Sequence, residues 1–215
     1  MINSDKVKFN LQWWFNDYNY DCSPTGSGKT YLLKDLLEHA SEIMDPVPEE
    51  AIINYTCWQP LYEQINCAFP VKFIEGISKI EDLPQDRKHR ILAIDDSMIA
   101  LSDSEEVSDM YTKYSHHLNY SVIGLTQNLF SKGKHFRTIS LNCQYFFLMK
   151  SVRDNTAIKV LGSQMGQQDF LHQAYMDAIK KPFGHLFLNL KSSADDKARV
   201  RAHIFDKPSV VYLPK

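Results

Sequence analysis

Residues 20–33 read YDCSPTGSGKTYLL, and this stretch constrains the fold more than any other. A phosphate-binding loop reads Gly, four residues, Gly-Lys and then Ser or Thr. Here Ser23 takes the first place, and Pro24, Thr25, Gly26, Ser27, Gly28, Lys29 and Thr30 follow in order. Gly26 and Gly28 allow the backbone to wrap closely around phosphate oxygens, with several N–H groups pointing inward. Lys29 is placed to reach the β- and γ-phosphates, and the Thr30 hydroxyl to ligate Mg²⁺. Leu32, Leu33, Leu36, Leu37, Ala40 and Ile43 recur at three- and four-residue steps, which predicts a helix from Lys29 to about Met44. The positive N-terminal end of that helix favours bound phosphate. ATP and Mg²⁺ are the expected ligands.

The rest of the chain alternates between strand-like and helix-like segments. Strands are expected at AIINY (51–55), VKFIEG (71–76), RILAIDD (90–96), YSVIGLTQN (120–128) and YFFLMK (145–150). HLFLNL (185–190), VRAHIF (200–205) and VVYL (210–213) read as closing strands. Helices are expected from Pro60 within 59–69, over 104–119 with Ser104 as the cap, and near 154–165 and 167–180. This order implies an α/β fold with a largely parallel sheet. The apolar strand bodies imply burial on both faces. LQWWFNDYNY (11–20) is aromatic with polar residues between, and follows no clean period. Residues 1–22 are therefore set apart as an atypical N-terminal segment before a single domain at 23–215.

Three further clusters carry chemistry. RILAIDD ends an apolar strand in two acids, which places carboxylates at the edge of the sheet where ligands bind. Asp95 is expected to hold Mg²⁺ through water, and Asp96 to orient or deprotonate the attacking water. Gln127 follows the next apolar strand; if that strand lies beside the Asp95 strand, Gln127 can sense the γ-phosphate or position water. In SKGKHFRTISLN, the cations Lys132, Lys134, His135 and Arg137 lie within six residues. They suit phosphate contacts with DNA, a trans-acting arginine at a neighbour's site, or a solvated loop. A later cluster, Lys191, Lys197, Arg199 and Arg201, reads as a solvated face. The adjacent His116 and His117 point about 100° apart on a helix, which suits a helix C-terminus better than one shared metal ion.

Bulk properties narrow the classes. With 215 residues, 44% hydrophobic and 23% charged, the chain is long enough for a sizeable core and too apolar for a mostly disordered protein. A net charge of −2 supplies no global field for nucleic acid, so DNA contact must come from a local patch or from assembly. Four isolated cysteines form no Cys-x-x-Cys pair and suggest neither a zinc site nor a disulfide framework. No run approaches the ~20 apolar residues of a membrane span.

Taken together, PTGSGKT, CWQPLYEQI, FIEGI, ILAIDDSM, YTKYSHHLNYSVIGLTQNLFSKGKHFRTISLN and SVRDNTAI resemble, in order, the genome-packaging ATPases of the FtsK/HerA superfamily. The pattern is most similar to the packaging ATPases of Polinton (Maverick) elements and adintoviruses, relatives of the poxvirus packaging ATPase. It covers about residues 23 to 205. The resemblance implies a P-loop NTPase with a RecA-like core, Mg-dependent ATP hydrolysis, and an oligomeric ring, commonly a hexamer. Such a ring moves double-stranded DNA into a capsid, so DNA and a capsid or portal-vertex protein are the implied partners. The host nucleus, virus factory or virion is the implied location. By motif, Lys29 and Thr30 belong to nucleotide and Mg²⁺ binding, Asp95 to Mg²⁺, Asp96 to water activation and Gln127 to the polar sensor. Arg137 and Arg153 match two recurrent arginines, of which Arg137 is favoured as the trans-acting one.

The sequence departs from that family at three places. Ser23 stands where the family has Gly. If the position needs φ > 0, serine costs on the order of 1 kcal/mol, a weakening of ATP binding by about tenfold. The family has an apolar strand just before the loop, whereas NDYNYDC is polar and aromatic. Leu118 occupies a place that is often basic. A catalytically degenerate relic or nucleic-acid-binding module, and a small-molecule kinase, stand as the alternative readings.

Overall fold

The computed structural model describes residues 7–8, 12–16, 28–95, 104–126, 135–151 and 155–214. Strands β1 (Val7–Lys8), β2 (Gln12–Asn16), β3 (Met44–Asp45), β4 (Glu50–Tyr55), β5 (Val71–Glu75) and β6 (Arg90–Asp95) come first in the chain. Then follow β7 (Tyr120–Thr126), β8 (Tyr145–Met149), β9 (His185–Asn189), β10 (Val200–Ala202) and β11 (Val210–Tyr212). Nine of them form one sheet in the order β11-β10-β9-β8-β2-β7-β6-β4-β5. From β8 to β5 every pairing is parallel, whereas β9, β10 and β11 add antiparallel. The mostly parallel α/β sheet expected from the strand–helix alternation is present.

The helices are α1 (Gly28–Glu38), α2 (Ala40–Ile43), α3 (Glu105–Asp109), α4 (Ser115–His117), α5 (Phe136–Asn142), α6 (Thr156–Gln164) and α7 (Gln168–Ala178). They cover both faces of the sheet. On β6, Ile91 and Ala93 face the layer formed by α1, while Leu92 and Ile94 face the layer formed by α3, α5, α6 and α7. This alternation is the period of two that a pleated strand imposes. With both faces covered, β6, β7 and β8 are buried along their whole length, as a parallel sheet between helices requires.

Local signals account for several boundaries. The Ser104 side chain accepts a hydrogen bond from Val107 N–H at 3.2 Å and caps α3. From α3 the helix continues through a π-turn at Met110–Tyr114 into α4. Asn119, at φ 61°, turns the chain out of that helix, the left-handed exit that asparagine tolerates. The helix expected within 59–69 is shorter: only a 3₁₀ turn, Pro60–Gln64, forms, and Ile65 returns to extended backbone. Pro60 does open it.

The largest departure from expectation concerns β2. The sequence shows no period at 11–20, and the resemblance implies an apolar strand just before the loop, where NDYNYDC is polar and aromatic. A strand forms at Gln12–Asn16, between β7 and β8 and parallel to both. Residues Trp13, Trp14, Phe15 and Asn16 pair on both edges. Its pairing with strands far along the chain, β7 and β8, is a relation that no local pattern in 11–20 encodes. Residues 17–27, which join β2 to α1, lie outside the described residues.

Candidate nucleotide-binding site

The site begins where α1 begins. Gly28 is its first residue, and Lys29 and Thr30 are 3% and 2% exposed. Four leucines, Leu32, Leu33, Leu36 and Leu37, bury one side of α1 against the sheet and fix its N-terminal turn at the carboxyl edge of the strands. The amide groups of that turn and the helix dipole favour an anion there.

The second component is Asp95, the last residue of β6. It is 1% exposed. The Thr30 hydroxyl donates to Asp95 Oδ2 at 3.3 Å, across 65 residues of sequence. The hydroxyl proton is thus directed at the carboxylate, and the oxygen lone pairs point elsewhere. A hydroxyl oxygen and a carboxylate are hard donors of the kind Mg²⁺ takes when phosphates and waters complete its shell. Among the described residues there is no cluster of three or more His, Cys, Asp or Glu that would form a self-sufficient metal cage, and this pair of donors does not require one.

A third group was not assigned any role from sequence. Tyr62 donates its hydroxyl to the same Asp95 Oδ2 at 2.7 Å and is 2% exposed. It comes from the Pro60–Gln64 turn. Its ring is fixed by Trp58, edge-on at 5.4 Å, with Phe73 at 5.2 Å and Tyr55 at 6.0 Å. Aromatic pairs at such separations add orientation as well as burial. The signal was present in CWQPLYEQI, but nothing in the local spacing says which of its residues reaches the acid.

The other expected site residues divide as follows. β7 pairs with β6, with Leu125 opposite Asp95, so the condition set for Gln127, that its strand adjoin the Asp95 strand, is met. Gln127 itself lies outside the described residues, as do Asp96, Lys132, Lys134, Arg153 and the loop residues Ser23, Pro24, Thr25, Gly26 and Ser27. Arg137 lies in the first turn of α5 and is exposed. His116 and His117 end α4, exposed, as the helix-terminus reading expected.

One expectation about the basic residues is overturned. Arg199 is not part of a solvated face. Its guanidinium bonds the carbonyls of Asn189 at 2.8 Å and Lys191 at 3.0 Å, and Asp196 at 2.7 Å, tying the β9–β10 connection together. Lys191 places its ammonium 5.4 Å from the Tyr145 ring centroid, and burial lowers its pKa.

No family model and no curated relative matches the sequence. Solved structures do. The genome packaging NTPase B204 from Sulfolobus turreted icosahedral virus 2, in complex with sulfate, aligns with TM-score 0.59 and 12% identity over 94% of this chain and 97% of that one. The same NTPase in complex with ATP-gammaS aligns at 0.55 and 13% identity, covering 94% and 98%. B204, the DNA-packaging ATPase from Sulfolobus turreted icosahedral virus, aligns at 0.54 and 11% identity, covering 90% and 96%. Identity this low carries the fold alone, and the fold of this chain is that of a P-loop NTPase, similar over nearly its whole length to viral genome-packaging NTPases.

Proposed function

We propose that the chain is an ATP-hydrolysing motor that moves double-stranded viral or transposon DNA into capsids. The observation that carries the reading is the Thr30–Asp95 contact of 3.3 Å at the N-terminal turn of α1. It unites the end of a phosphate-loop sequence with a strand-end acid, which is the arrangement that nucleotide hydrolysis on such a scaffold requires. The neighbours in complex with ATP-gammaS and AMPPCP support nucleotide binding by this fold.

The roles follow from chemistry. Backbone N–H groups of the loop and the α1 terminus hold the phosphates, and Lys29 neutralises charge on the β- and γ-oxygens. Thr30 and Asp95 would hold Mg²⁺, which when bound neutralises the charge that develops between those phosphates. Asp96 accepts the proton of the attacking water, and Gln127 positions that water. The exposure of Arg137 suits a residue that acts in a neighbouring subunit's site. Lys132 and Lys134 contact DNA phosphates. The net charge of −2 means that DNA affinity depends on assembling these patches in a ring. The similarity to the Polinton and adintovirus ATPases, and with it a capsid or portal-vertex partner, belongs to the same proposal.

The degenerate-relic reading rested on Ser23 and on the polar segment where the first strand is expected. β2 pairs on both edges at the centre of the sheet, which weakens the second of these grounds. The test is steady-state ATP hydrolysis with and without duplex DNA, beside Lys29→Ala. DNA-stimulated turnover absent from the variant is the expected result. Turnover equal in both proteins would reject the assignment. Asp96→Asn is expected to keep ATP binding and lose turnover.

A further inference from the structure

Beside the N-terminal turn of α1, two large aromatic rings stand in solvent. Tyr31 is 46% exposed and Phe183 67% exposed, and the rings stack at 5.6 Å between centroids with planes 14° apart. Tyr31 follows Thr30 directly. Phe183 belongs to the turn between α7 and β9, two residues before His185, which pairs with Met149 at the carboxyl end of β8. A Cβ added at Gly28 would lie 3.1 Å from the Phe183 ring. The exposed pair is therefore in contact with the phosphate-binding turn itself.

Phe183 has φ 57°. For a bulky side chain the left-handed region carries a real steric cost. A ring two-thirds in water recovers little of that cost by burial. The turn is held all the same: Gly184 N–H bonds Lys181 O at 3.0 Å, and a Cβ on Gly184 would lie 2.3 Å from the Ala178 carbonyl oxygen. Backbone strain kept in place by its surroundings, and not explained by packing, points to a function.

Topology supplies the ligand. In the sheet, β2 leads to the loop, with β7 and then β6 on one side and β8 and then β9 on the other. Asp95 ends β6, so the phosphate that faces Mg²⁺ lies on that side. A nucleoside triphosphate anchored there and at Lys29 must carry its base out toward the β8–β9 side, where Phe183 stands. Lys34 Nζ already lies 5.9 Å from the Tyr31 ring centroid, which leaves the Phe183 ring as the more open face. Resting on the nucleotide reading above, we infer that Phe183, backed by Tyr31, is the platform on which the purine base of the nucleotide stacks. Stacking on an aromatic face tolerates differences between bases, because every base has a π-face.

The experiment compares the affinities of ATP and inorganic tripolyphosphate, both with Mg²⁺, for the full chain and for Phe183→Ala. The wild type is expected to bind ATP at least about tenfold more tightly than tripolyphosphate. Phe183→Ala should lose most of that advantage and leave tripolyphosphate binding unchanged. Phe183→Trp should retain it. Phe183→Leu, which keeps bulk beside Gly28 without a ring, replaces the alanine variant if that one is unfolded by circular dichroism. Unchanged ATP affinity in the ring-less variant, or equal loss of both ligands, overturns the platform while the phosphate site stands. A wild type that binds neither ligand rejects the nucleotide reading and the platform together.

Discussion

The Tyr62 hydroxyl lies 2.7 Å from Asp95 Oδ2, closer than the Thr30 hydroxyl at 3.3 Å to the same oxygen. Two donors to the same oxygen, from different elements, thus fix the orientation of one buried carboxylate. A hydrogen bond to a charged group contributes about 1.5–3 kcal/mol, and partners behind a metal-binding carboxylate tune affinity by about 10–100-fold. Tyr62→Phe keeps the ring among Trp58, Phe73 and Tyr55 and removes only the hydroxyl. Its expected effect is a Mg²⁺ requirement for hydrolysis raised about tenfold, with turnover at saturating Mg²⁺ changed much less. A Mg²⁺ titration of the ATPase rate checks this, and a curve superimposable on wild type would leave Tyr62 a packing residue.

Thr30→Val and Thr30→Ser separate the hydroxyl from the side chain's bulk. Valine keeps the shape, but removes the donor to Asp95 at a place where both residues are almost wholly buried. Tyr62 still donates to the same oxygen, so the loss is that of one long hydrogen bond, about 1 kcal/mol. The valine variant is expected to unfold at correspondingly lower denaturant and, on the proposed function, to hydrolyse ATP at least about 10²-fold more slowly, since the oxygen proposed to hold Mg²⁺ is gone too. Serine should restore both. Urea melts with single-turnover rates provide the measurement.

The contrast between Thr30 and Tyr62 shows what was legible in the sequence. Thr30, Lys29 and Asp95 were singled out because each sits at a fixed offset from a regular element: the start of an amphipathic helix, or the end of an apolar strand. The structure brings Thr30 and Asp95 together. Tyr62 escaped because its role depends on a short 3₁₀ turn and on three aromatic neighbours, one of them, Phe73, on another strand. β2 escaped for a different reason. Its place is set by pairing with β7 and β8, more than a hundred residues further along the chain, which no local pattern encodes. The antiparallel extension β9–β11 was legible as strands, yet its direction depends on connections that no local pattern encodes.

Gly28 tests how closely the first turn of α1 is packed. A Cβ there would meet Met149 Cε at 2.5 Å as well as the Phe183 ring at 3.1 Å. Gly28→Ala is therefore expected to cost about 1–3 kcal/mol through overpacking. The nearer obstacle is the tip of a flexible side chain, so shortening it should give the methyl room. Met149→Ala alone should cost about 2–5 kcal/mol as a cavity. The double variant is expected to cost at least about 0.5 kcal/mol less than the sum of the singles. Additive values in a denaturant cycle would mean that the methyl displaces the turn instead of the methionine.

His185 makes stability depend on pH. Its imidazole is 7% exposed and sits between Phe147, at 5.3 Å, and Phe205, at 6.2 Å between ring centroids. Among the described residues nothing bonds its Nε2, and burial pushes its pKa down to about 4. A hydrogen bond to the Phe183 carbonyl opposes this, while the neighbouring His203 lowers the pKa further and Asp206 raises it. The unfolded chain titrates this group near 6.5. Between the two values the unfolded state binds the extra proton, so stability falls as pH drops from about 6.5 to about 4 and is unaffected by this group above that range. The loss amounts to an order of magnitude of 3 kcal/mol at full extent. His185→Phe removes the titrating group and keeps a ring between the two phenylalanines. Urea melts at pH 7.5 and 4.5 should show the variant losing about 2–3 kcal/mol less than wild type over that interval. Equal losses in the two proteins would mean that His185 accepts its proton in the folded state as readily as in the unfolded one.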